Sequence, residues 1–113
     1  MVDYDGRRFR AAENSAGGEA GEATVFEYHQ EGCVVWATYR GGRVAFGSLV
    51  ATADAEGRLD MRYQHVNMAG RLMTGSCETT PEVLPDGRLR LHERWRWTSG
   101  DRSEGTSTLE ETR

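Results

Sequence analysis

Two residues interrupt otherwise apolar alternations in this 113-residue chain, and both carry groups that can move protons. Glu93 shares the register of Leu89, Leu91, Trp95 and Trp97, while Arg90, His92, Arg94 and Arg96 occupy the opposite one. His65 shares the register of Leu59, Met61 and Tyr63. Burial in apolar surroundings raises the pKa of a carboxyl group and lowers that of an imidazole. If both faces turn inward, His65 and Glu93 form either a hydrogen-bonded structural couple or a general acid–base pair. Both alternatives stay open at this level, and the two are the candidate catalytic residues. Tyr28, Tyr63, Trp95 and Trp97, with Trp36 on an earlier segment, are candidates to stack on a planar ligand. The competing reading makes these rings plain filler for a small core.

Other chemistries find little support. His29 and His92 fall on the register opposite to His65, so the three histidines cannot converge, and no carboxylate–histidine spacing matches a metal signature. No Gly-x-Ser-x-Gly turn is present to seat a nucleophilic serine. The run Gly17-Gly18-Glu19-Ala20-Gly21 lacks the Lys-Ser/Thr ending and the following helix of a phosphate cradle. No metal and no cofactor are therefore expected. Arg90, Arg94 and Arg96 read as a solvated stripe. Cys33 and Cys77 lack any paired spacing and are expected as reduced thiols.

Charge narrows the partners. Eighteen acidic against fourteen basic residues give a net charge of -4 and a pI near 5.4. That balance lacks the electrostatic footprint of a nucleic-acid binder or of a module for anionic membranes. The start, Met1-Val2-Asp3-Tyr4-Asp5, has no apolar leader, and no run approaches the roughly 18 apolar residues of a spanning helix. A cytoplasmic location is the resulting expectation. A homo-oligomer is compatible with the sequence.

The elements that must position these residues are strands. Apolar residues recur at period two through most of the chain. Thr24, Phe26 and Tyr28 open the pattern, and Val34 to Tyr39 follows the Glu31-Gly32 turn. Gly41-Gly42 reads as a two-residue hairpin turn, and Val44 to Ala53 as a longer strand with Gly47 as a bulge or close-approach point. Further strands are expected at Leu59 to Val66, Leu72 to Cys77, Leu89 to Trp97 and about Gly105 to Glu111. Ala11 to Glu22 reads as a Gly-rich loop, and Glu78 to Leu84, with Pro81 inside, as a long connection. Seven or eight short antiparallel strands leave open edges unless they close. The predicted fold is thus one all-β domain over 1–113, an up-and-down meander closed into a barrel of about eight strands, with a two-sheet sandwich as the rival.

Three stretches resemble a family of small bacterial proteins of unknown role. They are Tyr63-Gln64-His65-Val66-Asn67, Thr74-Gly75-Ser76-Cys77 through Thr80-Pro81-Glu82, and Arg88-Leu89-Arg90-Leu91-His92-Glu93 through Trp95-x-Trp97-Thr98-Ser99-Gly100-Asp101. The similarity takes in Gly41-Gly42 and Gly105-Thr106-Ser107, so it covers nearly the whole chain. Members of that family often carry the label N-acetylglutamate synthase-like. Such acetyltransferases need an Arg/Gln-x-x-Gly-x-Gly/Ala loop leading into a helix, and this sequence has neither. By analogy the resemblance implies a lipocalin-like or avidin-like barrel. The leading expectation is a barrel that binds a small apolar or aromatic molecule inside. One rival is a barrel isomerase or cyclase using His65 and Glu93, with Tyr63 or Tyr28 orienting the substrate. The other is a solid barrel acting as a protein-interaction module.

Overall fold

The computed structural model describes residues 2–112 and contains eight strands in chain order. They are β1 (Arg8–Asn14), β2 (Val25–Glu31), β3 (Val34–Gly41), β4 (Val44–Ala53), β5 (Leu59–Asn67), β6 (Leu72–Val83), β7 (Leu89–Trp97) and β8 (Glu104–Glu111). Each pairs antiparallel with the next, and β1 pairs with β8, so the sheet is a closed up-and-down barrel and not a sandwich. Closure leaves no strand at an open edge of the sheet. Period-two burial follows each strand: Val35, Ala37 and Tyr39 of β3 turn inward, as do Leu59, Met61 and His65 of β5.

Tight turns set the spacing. Gly41 pairs with Val44, so the two-residue turn is Gly42-Arg43, one residue later than expected, with φ 63° at Gly42. A side chain at 41 would also run into the Ala23 carbonyl. The expected hairpin is present, with its turn shifted by one residue.

Two segments depart from the sequence reading. The Ala11 to Glu22 stretch is not all loop, because β1 runs to Asn14 and buries Phe9 and Ala11. A register shift between Ala11 and Glu13 breaks the alternation at that point, which removes the period-two signal. Glu78 to Leu84 is not a free connection, since β6 continues through Pro81 to Val83. Registered pairing with β5 ends at Thr79, whereas pairing with β7 runs on to Val83. Pro81 therefore lies where the strand has one neighbour, a place that tolerates a missing amide hydrogen.

The two ends of the barrel differ. At one end the segment before β1 folds inward and Tyr4 plugs the opening, fully buried. Its ring stacks on Tyr28 at 5.7 Å, its hydroxyl donates to the Gly57 carbonyl at 2.6 Å, and its amide donates to Gln30 Oε1 at 2.9 Å. Burying a large side chain of this kind contributes about 1.5–3 kcal/mol. The other end, the mouth, is formed by the 15–24 loop and the turns at 42–43, 68–71 and 98–103.

Candidate functional site

Just inside the mouth, β5 and β7 face each other across β6. On β5, Met61, Tyr63, His65 and Asn67 follow at every second position, and on β7 Glu93, Trp95 and Trp97 do the same. The space between them is a cavity of about 60 Å³, several times the 10–15 Å³ or so that one water needs. Phe26, Tyr39, Leu49 and Cys77 complete its wall from other strands, and Glu19 with Ala20 close it from the 15–24 loop.

Small residues make room for the rings. Gly47, paired with His65 on β5, lies beneath the Tyr39 ring, and Gly75 lies beneath Tyr63 in the same way. A Cβ on Gly47 would come within 2.7 Å of His65 Cβ and closer still to the phenol. The close-approach role expected of Gly47 is what the packing requires, with a register shift beside it between Val44 and Phe46. Gly47→Ala is expected to cost about 1–3 kcal/mol in urea denaturation, because the Tyr39 ring must leave its rotamer well. Unchanged stability would mean that the ring can step aside freely.

His65 is 4% exposed and bonded at both ring nitrogens. Its Nε2 lies 2.8 Å from Glu19 Oε1 and its Nδ1 2.9 Å from the Tyr39 hydroxyl. A carboxylate only accepts, so Nε2 carries the proton toward Glu19, while Nδ1 faces the Tyr39 hydroxyl, which also lies 3.4 Å from the Gln64 carbonyl. Asn67 Nδ2 also donates to Glu19, at 3.1 Å from Oε2, and Arg43 Nη2 stands 3.8 Å away at the rim. The 15–24 loop is thereby tied to the barrel wall. Trp97 Nε1 donates to the Gly17 carbonyl at 3.0 Å and Asn14 Nδ2 to the Ala20 carbonyl at 3.0 Å, holding the same loop.

Glu93 stands apart from this network. Its Oε1 accepts from the Ser107 hydroxyl at 2.9 Å and its Oε2 from the Thr79 hydroxyl at 3.4 Å. Among the described residues no arginine or histidine lies within ion-pair distance of it. Burial pushes its carboxyl up to about 7, with the two hydroxyl hydrogen bonds offsetting only part of that rise. Burial likewise raises the Tyr39, Tyr63 and Cys77 groups above their usual values, and Glu93 adds to each shift.

The inward faces expected for His65 and Glu93 are present, but the two do not pair. Thr79 is level with Glu93 on one side and with Leu59 on the other, and His65 lies six positions beyond Leu59. His65 is coupled to Glu19, which sequence reading left in a featureless loop. The signal that could have found it is the lone acidic residue set among Gly17, Gly18 and Gly21. Tyr63, Trp95 and Trp97 line the cavity, with Tyr63 edge-on to Trp97 at 5.6 Å and the two indoles 5.8 Å apart. Tyr28 faces inward but packs between Tyr4 and Phe9 at the plugged end, away from the cavity wall. Trp36 is a correction. It points outward, stacked on His29 at 5.6 Å and paired across to Val50, so it cannot meet a ligand inside. Among the described residues no three His, Cys, Asp or Glu side chains cluster as metal ligands. Cys33 is exposed, Cys77 is buried, and both are free thiols.

A family model described as avidin-like protein matches residues 2–112. The chain belongs to the avidin-like protein family. Its eight-stranded barrel suits that assignment, and the resemblance read from the sequence to an avidin-like barrel holds at the level of the family. The match does not extend to an N-acetylglutamate synthase, and the described residues form no helix. No match was found among the curated proteins or among the solved structures.

Proposed function

We propose that this avidin-like barrel binds a small, largely apolar or aromatic molecule in the cavity behind its mouth. The supporting observation is the cavity itself, walled by Phe26, Tyr39, Tyr63, Trp95 and Trp97 with only a few converging polar groups. That is the composition of a ligand pocket, in which apolar walls supply affinity and a few polar groups fix orientation. Membership of the avidin-like family is compatible with binding but names no ligand.

The test is a screen of small aromatic fragments against the intact protein, followed by tryptophan fluorescence and by NMR shifts of the His65, Trp95 and Trp97 side chains. Hits are expected to perturb these residues and not Trp36. Leu49→Phe, which narrows the cavity, is expected to weaken each hit about tenfold or more, a change of roughly 1.4 kcal/mol. Hits that map to the outer face, or that ignore Leu49→Phe, would overturn the reading.

One observation favours chemistry at the same place. A carboxyl group held near 7 can both give and take a proton at neutral pH, as a general acid–base catalyst must. On that reading Glu93 moves the proton, while the Glu19–His65–Tyr39 chain orients the bound molecule. Turnover of a fragment hit, lost in Glu93→Gln while its binding persists, would distinguish an isomerase or cyclase from a binder.

A further inference from the structure

We infer that the ligand carries a cationic nitrogen, a protonated amine or amidine, seated against the Glu93 carboxylate and the faces of Trp95, Trp97 and Tyr63. This rests on the reading of the cavity as a small-molecule site and adds the chemical class. The cavity holds two carboxyl groups, Glu93 and Glu19, and no arginine side chain lines it. Arg43, the cation nearest Glu19, is at the rim with its side chain 68% exposed. His65 directs its Nε2 proton at Glu19 and offers none to Glu93. Glu93 has only two hydroxyl donors, one of them at 3.4 Å.

An anionic ligand would share this space with two like charges, and the one imidazole there is already committed to Glu19, a costly arrangement. A cation supplies the missing counter-charge. Indole and phenol faces add cation–π attraction, strongest for Trp and stronger when water is excluded. The groups around Glu93 cannot substitute for the ligand. The Tyr4, Tyr28, Tyr39 and Tyr63 phenols and the Cys77 thiol are all held protonated by burial, and the Glu19–His65 couple lies at the far end of the cavity. A bound cation must therefore find Glu93 ionised, so binding expels the proton that the free carboxyl retains up to about 7.

Benzylamine, benzyl alcohol and benzoate present one ring with a cationic, a neutral and an anionic head, and their dissociation constants are measured on the intact protein by tryptophan fluorescence. At about pH 8 benzylamine is expected to bind about tenfold tighter than benzyl alcohol, and benzoate the weakest. Between about pH 6 and pH 8 the benzylamine affinity is expected to rise about tenfold, while that of benzyl alcohol stays flat, as loss of one proton per binding event requires. In Glu93→Gln the amine-to-alcohol ratio is expected to fall toward one; the wild-type series decides the matter even if that variant folds poorly. Benzyl alcohol or benzoate binding as well as benzylamine would overturn the cationic ligand and leave small-molecule binding standing. If none of the three binds, the cavity reading fails and this inference fails with it.

Discussion

Raising the pH from about 4 to about 8 is expected to cost the protein on the order of 3 kcal/mol of folding stability through Glu93 alone. The carboxyl ordinarily titrates at 4.5 and is pushed up to about 7 in the folded barrel by burial. Below 4.5 both folded and unfolded chains carry the proton, and Glu93 takes nothing from stability. Between 4.5 and 7 the unfolded chain ionises while the folded one stays neutral, so unfolding releases a proton and stability falls with rising pH. Above 7 both states are ionised and the loss is complete. Each pKa unit is worth 1.36 kcal/mol, which gives the order of magnitude. Urea denaturation of the wild type and Glu93→Gln across this range isolates the effect, since other titrating groups cancel in the difference. The variant is expected to be the less stable protein at the acid end and the more stable one above 7. A difference that does not change with pH, or a Glu93 carboxyl titrating near 4.5 by NMR, would show the side chain to be solvated. The cost of keeping an ionised group here is also what makes it useful: a polar site held against stability is the usual mark of function.

Cutting the tie at the mouth is expected to have the second largest effect. Glu19→Ala leaves His65 Nε2 and Asn67 Nδ2 without their acceptor, and both residues are more than nine-tenths buried. An orphaned buried donor costs about 1–3 kcal/mol. The middle of the 15–24 loop then keeps only the Trp97 and Asn14 anchors, with Ser15 bonded to Thr106 and Thr24 to the Gly41 carbonyl at its two ends. Amide hydrogen exchange is expected to accelerate in that loop while the β5 and β7 amides stay protected, because local opening does not require the barrel to unfold. Glu19→Gln keeps one acceptor oxygen and is expected to fall between the wild type and Glu19→Ala. Unaltered loop exchange in Glu19→Ala would show that the carboxylate is not what holds the mouth. Since Gly18, Glu19 and Ala20 all border the cavity, the same experiment reports how the interior is reached.

Much of the barrel was legible along the chain. Strict alternation carries its own face assignment, so the inward placement of His65 between Tyr63 and Asn67, and of Glu93 between Leu91 and Trp95, followed from period two alone. Gly41-Gly42 and Gly47 were readable for a similar reason, since a residue without Cβ marks where backbone or ring must come close. Where alternation failed, reading failed. Val34 to Tyr39 is apolar on both faces, so nothing in its pattern says that Val35, Ala37 and Tyr39 go in and Trp36 goes out. In β1 the irregularity after Ala11 erased the pattern of a short strand. Partners were a different matter. Which residue stands across from His65 or Glu93 depends on the stagger with which eight strands close, and on where a ten-residue loop comes to rest. Both are set by pairings between residues far apart in sequence, and no local pattern encodes them. The chain by itself determined the strands, their inward faces and the two polar groups turned inward on them. Tertiary closure decided that Glu19 and not Glu93 would pair with His65, which left Glu93 alone with two hydroxyls in the cavity.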